Sequence, residues 1–453
     1  MNNKKYFGTD GIRGVANRGH IVPEFILGLG KAAGSYFKKG KARPRIIIGK
    51  DTRLSGYMIE SALMSGICAM GADVYLVGPL PTPAISFIVR SMRADAGIVI
   101  SASHNPYTDN GIKLFGSDGR KLPDEVEAAI EELMDSGPME GPDGEGLGKA
   151  HRVDDAGGRY IAYSKSTIDE GISFEGLKVV VDCANGAAYE VAPSIFSELG
   201  AQVTVIGGSP DGFNINEGCG STAPEAMARA VQEIGADVGI ALDGDADRAI
   251  LCDERGELVD GDDILFLNSL VLQETGRLAN NTVVGTIMTN VGLQSALRER
   301  GITLLRAPVG DRYVLEEMTR TGSVLGAEPS GHVIFSDYAP TGDGIVTSLQ
   351  TIGTMVRKGR PLSGLREGWK RYPQIMLNLR VKDRVPLEGQ GWFEELLDGA
   401  RGELGEDHLL SLRYSGTEPL IRVTVSSESE SRTMNVSNSL CDALVERFGW
   451  EKI

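Results

Sequence analysis

The sequence lacks the features that mark membrane, secreted or disulfide-bonded proteins. It contains no run of about 18 consecutive apolar residues, so we expect no membrane-spanning helix. Its first residues are polar and glycine-rich, without the apolar segment of a secretory signal. The five cysteines are scattered and form no Cys-x-x-Cys motif, which favours a reduced, cytoplasmic setting.

Basic residues are also too few for a general nucleic-acid-binding protein. The chain has 46 Lys and Arg against 62 Asp and Glu, a net charge of −16, so we expect no nucleic-acid partner. Such a chain binds an anion only in a locally basic pocket. With 453 residues, of which 41% are hydrophobic, it is long enough for three or four folded domains.

A strand–helix–strand pattern occurs three times, at residues 45–78, 177–207 and 282–306. Short β-branched strands alternate with a helix that ends at a glycine, which predicts parallel strands joined by right-handed crossovers. Such units also recur by chance, but three in this order favour three similar α/β domains. The remainder, from Tyr372, reads as three strands and a closing amphipathic helix, typical of a small α+β domain. The predicted domains are residues 1–155, 156–257, 258–371 and 372–453.

A serine loop follows the apolar strand at residues 96–100. Ligands bind at the carboxyl ends of strands in open α/β sheets, so Ser103 is a candidate nucleophile or phosphate carrier. The Gly-x-Ser-x-Gly motif of many hydrolases is absent. His104 is adjacent in sequence, which does not by itself bring its ring to the serine hydroxyl. An ordinary turn-forming or helix-capping serine remains the alternative.

A carboxylate loop follows another apolar strand. Asp243, Asp245 and Asp247, at i, i+2 and i+4, can converge on one hard cation, and without a cation at least one of their pKa values should rise. An EF-hand would place Glu254 at its twelfth position, but its sixth would be Arg248 instead of glycine, and the flanks read as strands. A solvated acidic turn stays open as well.

Two further loops suit a phosphorylated polyol. Glu328, Ser330 and His332 offer a carboxylate, a hydroxyl and an imidazole in a Gly/Pro turn, although they would equally suit a solvated loop. A second loop combines hydroxyls, a glycine and flanking arginines, which suits phosphate binding, with an ordinary hairpin turn as the alternative. The candidate phosphate-binding residues are Arg413, Ser415, Gly416, Thr417 and Arg422.

Together these loops resemble the α-D-phosphohexomutase superfamily. The segment Phe7–Gly14 and the Ser103, Asp243, Glu328 and Arg413 loops occur in the superfamily's order over essentially the whole chain. Gly310–Val314 and Thr341–Ile345 are similar to the branch that acts on hexosamine phosphates. The resemblance implies three similar mixed-sheet α/β domains and a C-terminal α+β domain around a central cleft.

The resemblance also implies roles for the candidate residues. Ser103 would carry a phosphate as phosphoserine, and Mg²⁺ would be held by Asp243, Asp245, Asp247 and an oxygen of that group. His104 and Lys113 are candidates for proton transfer, and Arg13 and Arg248 for stabilising the phosphoryl group. Glu328, Ser330 and His332 would bind sugar hydroxyls, and the Arg413 loop the distal phosphate.

The implied enzyme is an intramolecular phosphotransferase of the isomerase class. It would interconvert glucosamine 6-phosphate and glucosamine 1-phosphate through a 1,6-bisphosphate, supplying UDP-N-acetylglucosamine synthesis. A phosphomannomutase/phosphoglucomutase, a phosphatase acting through phosphoserine and a silent sugar-phosphate-binding protein are the alternatives.

The sugar loop departs from its branch at Ala327 and Pro329, and the sequence identifies no acceptor for the substrate's 2-amino group. The oligomeric state is also undecided by the sequence, and a homodimer stays open.

Overall fold

The computed structural model describes residues 4–8, 10–38, 40–387, 389–415 and 419–453. The chain forms two compact units. Unit 1 contains Met1–Ile287 and Arg306–Arg366, and unit 2 contains Met288–Leu305 and Glu367–Ile453.

The first part of unit 1 is a mixed six-stranded sheet with helices. Its strands are β1 (Ile12–Val15), β2 (Arg45–Lys50), β3 (Asp73–Pro79), β4 (Ala96–Ile100), β5 (Asp109–Gly116) and β6 (Ala150–Arg152). Its helices are α1 (Pro23–Lys38), α2 (Ser55–Ala69), α3 (Thr82–Ser91) and α4 (Asp124–Asp135). The strand order is β1-β5-β4-β2-β3-β6, in which β2 lies parallel to β3 and β4. β2 and β4 are continuous apolar runs because both of their faces are buried.

The second part of unit 1 is a five-stranded sheet of order β11-β10-β9-β7-β8. Its strands are β7 (Lys178–Asp182), β8 (Gln202–Ile206), β9 (Val238–Leu242), β10 (Ala249–Asp253) and β11 (Leu258–Val259). Its helices are α5 (Ala156–Ser166), α6 (Val191–Glu198) and α7 (Glu225–Ile234). The carboxylate loop joins β9 to β10, which pair antiparallel. This hairpin excludes the EF-hand alternative, which requires two flanking helices.

The third sheet has the order β13-β12-β14-β15. Its strands are β12 (Thr282–Thr286), β13 (Thr303–Ala307), β14 (Leu325–Ala327) and β15 (Val333–Phe335). The helices of this part of the chain are α8 (Gly261–Glu274), α9 (Val291–Glu299), α10 (Asp311–Thr321), α11 (Gly344–Lys358) and α12 (Leu362–Arg366), of which α9 belongs to unit 2. Ala307, at the end of β13 and in unit 1, accepts a hydrogen bond through its carbonyl at 2.9 Å. The donor is the N–H of Ile287, which directly follows β12.

All three sheets share one four-strand order. It reads β5-β4-β2-β3 in the first sheet, β10-β9-β7-β8 in the second and β15-β14-β12-β13 in the third. The three predicted strand–helix–strand copies are β2-α2-β3, β7-α6-β8 and β12-α9-β13. The repeat and the α/β class are therefore confirmed. The strands β5, β10 and β15 are antiparallel to their neighbours β4, β9 and β14, so the sheets are mixed.

Unit 2 contains the predicted α+β fold. Its strands β16 (Gln374–Arg380), β17 (His408–Tyr414), β18 (Leu420–Ser427) and β19 (Glu451–Lys452) form an antiparallel sheet of order β17-β18-β16-β19. Its further helices are α13 (Gly391–Leu404) and α14 (Glu430–Phe448). The alternating apolar positions of these elements build one core, in which Leu379, Val423 and Leu440 are buried. In the described parts of the chain, no helix has the length and apolar content needed to cross a bilayer.

Helix α11 begins at a buried carboxylate. Asp343 accepts hydrogen bonds from the Ile345 and Val346 N–H groups, both at 3.0 Å, which caps the helix. The Tyr160 hydroxyl donates to its two oxygens at 2.9 and 2.8 Å. Burial raises the pKa of Asp343 to about 6, against an ordinary 3.8, although these hydrogen bonds oppose the shift.

We expect Asp343→Ala to lower the free energy of unfolding by about 1–3 kcal/mol, because the buried amides and Tyr160 lose their acceptor. Asp343→Asn keeps an acceptor and should lose less. A carboxyl with a higher pKa in the folded state takes up protons on folding. The wild type should therefore gain stability relative to the Asn variant as the pH falls from about 7 to about 5. Thermal unfolding of the three proteins measures this, and parallel pH profiles for wild type and Asp343→Asn would contradict the raised pKa.

Candidate active site

A cleft of about 880 Å³ in unit 1 is lined by six of the predicted site residues. Among the residues that line it are the predicted Arg13, His104, Asp247, Arg248, Glu328 and His332, and also Asp10, Asp124 and Asp311. Ser103, Lys113, Asp243 and Asp245 are buried and connect to these residues through the contacts described below.

Ser103 is held in a backbone conformation that few non-glycine residues adopt. It follows β4 with φ of 51°, which costs about 1–3 kcal/mol and persists only when the surroundings enforce it. Its N–H donates to Ser101 Oγ at 2.9 Å, and its carbonyl accepts from Arg53 Nη2 and Asn216 Nδ2, both at 3.0 Å. Its own hydroxyl donates to Asp243 Oδ2 at 2.5 Å. The strained backbone therefore presents the serine oxygen to the carboxylate loop.

The sequence analysis assigned no role to the residues that support Ser103. Arg53 is fully buried, pairs with Asp51 and also donates to the Asn105 carbonyl at 2.5 Å. Asp51 and Arg53 follow β2, the neighbour of β4, so the strand-end rule that selected Ser103 would also have found them. Asn216 comes from a loop of the second sheet, and no sequence signal connects it to Ser103.

Asp243, Asp245 and Asp247 converge as predicted. Each is buried, and one ligand oxygen from each lies within 4.8 Å of the others. Burial, Asp247 and Asp245 hold the pKa of the Asp243 carboxyl well above its ordinary range. Asp245 Oδ1 and Asp247 Oδ1 are buried without a hydrogen-bond partner in the described residues. Three crowded carboxylates, two of which have an oxygen without a hydrogen bond, fit a hard divalent cation.

Lys113 lies on β5 beneath this cluster. Its Nζ is 2.9 Å from Asp245 Oδ2, 3.6 Å from Asp247 Oδ2 and 3.4 Å from Asp10 Oδ2. Burial alone would lower the pKa of Lys113, but the three carboxylates outweigh it and raise the pKa above its ordinary value. Lys113 is therefore a cation at neutral pH in this arrangement, which suits charge neutralisation better than proton removal.

His104 has the opposite electrostatics. Its Nδ1 lies 3.4 Å from Ser103 Oγ. Burial and the neighbouring cations Arg248 and Arg13 lower its pKa, so it is neutral at pH 7 and able to accept a proton. Nε of Arg13 and Nε of Arg248 are buried without hydrogen-bond partners in the described residues, which leaves two donors for an anion.

The sugar-loop residues occupy the turn between β14 and β15. Glu328 accepts a hydrogen bond from the Gly310 N–H at 3.0 Å. His332 Nε2 accepts from the Gly342 N–H at 3.2 Å, and its Nδ1 lies 3.8 Å from Asp247 Oδ1. Ser330 is exposed in this turn. The loop thus connects the carboxylate cluster to the polar wall of the cleft.

The sequence analysis also missed a second network of ion pairs in the cleft. Lys121 pairs with Asp10 and, at 2.5 Å, with Asp311 Oδ2. Asp10 also pairs with Arg13. Asp10 and Asp311 stood inside the motifs Phe7–Gly14 and Gly310–Val314, but their spacing gave no indication that one lysine would bridge them.

The predicted phosphate-binding residues belong to unit 2. Arg413, near the end of β17, lies directly opposite Arg422 on the neighbouring strand β18. Ser415 donates its N–H to the Leu420 carbonyl at 2.8 Å, and its own carbonyl accepts from Arg384. Gly416 and Thr417 lie outside the described residues.

Three family models match the chain. They are the phosphoglucomutase/phosphomannomutase alpha/beta/alpha domains I, II and III, which match residues 4–140, 159–256 and 260–372.

Curated relatives match at nearly full length. The chain is 51% identical to the phosphoglucosamine mutase of Syntrophotalea carbinolica, with 98% of each chain covered. It is 52% identical to that of Rhodopseudomonas palustris, again with 98% of each covered.

Solved structures show the same fold. A phosphoglucomutase/phosphomannomutase family protein from Burkholderia thailandensis superimposes with a TM-score of 0.78 at 24% identity and 98% coverage of both chains. The N-acetylphosphoglucosamine mutase of Aspergillus fumigatus, in complex with GlcNAc-6P and magnesium, gives a TM-score of 0.67 at 16% identity, covering 98% and 96% of the two chains.

Replacing one carboxylate of the cluster by an amide should raise the melting temperature in the absence of a divalent cation. It should also reduce the gain in melting temperature that a divalent cation brings. In EDTA we expect Asp243→Asn to melt above the wild type, because the variant no longer bears the cost of burying or protonating a third carboxylate beside Asp245 and Asp247. With Mg²⁺ the wild type should gain stability by mass action, whereas the variant should gain little. Thermal melts over a Mg²⁺ titration measure both effects.

Asp182→Asn is the matched control, since Asp182 is a buried strand-end carboxylate outside the cluster that accepts the Ala184 and Gly220 N–H groups. Its Mg²⁺ shift should equal that of the wild type. An undiminished Mg²⁺ shift in Asp243→Asn would contradict the assignment.

Proposed function

The chain belongs to the phosphoglucomutase/phosphomannomutase family, and we propose that it interconverts glucosamine 6-phosphate and glucosamine 1-phosphate. The observation that carries the mechanism is the buried Ser103 hydroxyl, 2.5 Å from an aspartate of the carboxylate cluster. The preference for an amino sugar is supported by the phosphoglucosamine mutases that are about half identical to the chain along its length.

The reaction consists of two phosphoryl transfers through Ser103. In the first, the bond between phosphorus and Ser103 Oγ breaks as the phosphorus bonds to the free hydroxyl of the sugar phosphate, giving a 1,6-bisphosphate. The bisphosphate then reorients. In the second transfer its other phosphoryl group returns to Ser103, which leaves the isomeric monophosphate and regenerates phosphoserine.

Proton transfer falls to His104 and charge neutralisation to Lys113. The attacking sugar hydroxyl must lose a proton, and a neutral imidazole beside Ser103 is suited to take it. Lys113, kept protonated by its carboxylates, counters charge on the phosphoryl group. Arg13 and Arg248 add donors at Nε, which make no other hydrogen bond in the described residues.

Mg²⁺ is the cation that we assign to the cluster. Asp243, Asp245, Asp247 and an oxygen of phosphorylated Ser103 would hold it. When bound, it neutralises negative charge on the transferring phosphoryl group. Hard oxygen ligands favour this ion, and a fold relative from Aspergillus fumigatus is described with magnesium.

Substrate binding is divided between two sets of residues. Glu328, Ser330 and His332 would contact sugar hydroxyls. The distal phosphate would be bound by Arg413, Ser415, Gly416, Thr417 and Arg422. Arg413 and Arg422 lie directly opposite each other on paired strands, where like charges repel. Residues opposite each other on paired strands are close enough for one anion to contact both guanidinium groups, which supports this assignment.

Ser103→Ala should reduce mutase turnover by several orders of magnitude, because the variant lacks the hydroxyl that we propose as the acceptor of the phosphoryl group. Intact-mass spectrometry of the wild type should show a partly phosphorylated species that the variant lacks. Ser101→Ala is the comparison, because that serine supports the loop without carrying phosphate. Turnover near the wild-type level in Ser103→Ala would refute the mechanism.

The wild-type enzyme should prefer the amino sugar. We expect kcat/KM for glucosamine 1-phosphate to exceed those for glucose 1-phosphate and mannose 1-phosphate by at least about tenfold, or roughly 1.4 kcal/mol. Initial rates on the three substrates, with the same phosphorylated enzyme, decide this. A higher value for either hexose phosphate would favour a phosphomannomutase/phosphoglucomutase and would leave the roles of Ser103 and Mg²⁺ unchanged.

A further inference from the structure

The two carboxylate oxygens of Asp245 have different surroundings. Oδ2 accepts a hydrogen bond from the Thr82 hydroxyl at 2.6 Å and lies 2.9 Å from Lys113 Nζ. Oδ1 is buried and makes no hydrogen bond to the described residues. Two donors on one oxygen fix the orientation of a carboxylate, which is how neighbouring residues orient a metal ligand. Oδ1 is therefore the oxygen of Asp245 that is left for a cation.

Thr82 reaches Asp245 from another part of unit 1. It is the first residue of α3, a helix of the first sheet, and it is almost completely buried. Its N–H donates to the Asp245 carbonyl at 2.9 Å, in addition to the hydrogen bond from its hydroxyl. Thr82 thus holds both the backbone and the side chain of Asp245.

The start of α3 does not account for the Thr82 hydroxyl. Threonine is common at the beginning of helices because its oxygen can accept a hydrogen bond from a backbone N–H of the first turn. In α3 the capping position is occupied by Pro81, and no side chain caps the helix. The hydroxyl of Thr82 donates instead to a carboxylate, which gives the shorter and stronger charge-assisted type of hydrogen bond.

This hold restricts how Asp245 can bind an ion. Ca²⁺ takes six to eight oxygens in flexible geometry and accepts both oxygens of one carboxylate, whereas Mg²⁺ demands a near-ideal octahedron with shorter bonds. Because Thr82 and Lys113 occupy Oδ2, Asp245 offers a single oxygen in a fixed direction. Such a ligand suits Mg²⁺ better than Ca²⁺.

We propose that Thr82 is a positioning residue for the cation, which holds Asp245 so that only Oδ1 binds the ion and so favours Mg²⁺ over Ca²⁺. Thr82 acts through Asp245 and does not itself bind the ion. This inference rests on the proposed function, which assigns Mg²⁺ to the carboxylate cluster.

Thr82→Val tests the proposal, because it removes the hydroxyl and keeps a β-branched side chain of similar size. We expect the Kd for Mg²⁺ to rise about tenfold or more, as is typical when a residue that orients a metal ligand is replaced. The Kd for Ca²⁺ should change by less than about threefold. Thermal melts over separate Mg²⁺ and Ca²⁺ titrations give both constants. Intact-mass spectrometry ensures that the proteins compared share one phosphorylation state.

Two further variants serve as controls. Thr82→Ser keeps the hydroxyl and should keep the Kd for Mg²⁺ within about threefold of the wild type. Ser86→Ala is the matched control, since Ser86 is a buried residue of the same helix whose hydroxyl donates to the Gly119 carbonyl at 2.6 Å and not to the cluster. Its constants for both cations should equal those of the wild type.

A purely structural role of Thr82 would lower the melting temperature in EDTA and leave the Kd for Mg²⁺ unchanged. That result in Thr82→Val overturns the proposal, as does an equal rise in Kd for both cations or a tenfold loss of Mg²⁺ affinity in Thr82→Ser. If Thr82→Val does not fold, Thr82→Ala decides by the same two constants.

Failure of the proposed function would look different. A wild type whose melting temperature does not respond to Mg²⁺ would refute the assignment of the cation itself. A wild type that responds, with Thr82→Val responding equally, would refute only the role of Thr82.

Discussion

The crowding of buried negative charge around one serine is the constraint on which the rest of the site depends. Asp243, Asp245 and Asp247 are each nearly inaccessible to water, where like charges repel strongly. Lys113 contacts two of them and offsets part of this repulsion. The raised pKa of Asp243 reduces it further, because it favours the neutral form of that carboxyl. A divalent cation would complete the balance. The same charges that repel one another without a cation would thus favour binding of a metal.

The repeated sheets bring these groups together. Ser103 follows β4 of the first sheet, the carboxylates follow β9 of the second, and Glu328 follows β14 of the third. These are equivalent strands in the shared order, so one topological position was used three times for different chemistry. Gly244 permits the close approach of the first two loops, since a Cβ there would lie 2.5 Å from the Ser103 carbonyl oxygen.

Charge also separates the roles of neighbouring groups. His104 and Lys113 were equal candidates for proton transfer in the sequence. Their surroundings lower the pKa of His104 and raise that of Lys113, so only His104 is suited to accept a proton. Burial and nearby cations lower the pKa of His104 and keep it neutral, whereas the carboxylates around Lys113 raise its pKa and keep it charged.

The sequence by itself determined the α/β class, the threefold repeat, the strand-end serine and the three carboxylates, because each depends on residues close together in the chain. Hydrophobic periodicity defined the strands, and the i, i+2, i+4 spacing brought the carboxylate oxygens together. Only the tertiary structure decided that Asn216 supports Ser103, which of His104 and Lys113 is neutral, and how Lys121 is shared between Asp10 and Asp311. These depend on burial and on charges from segments far apart in sequence, and no local pattern encodes that proximity.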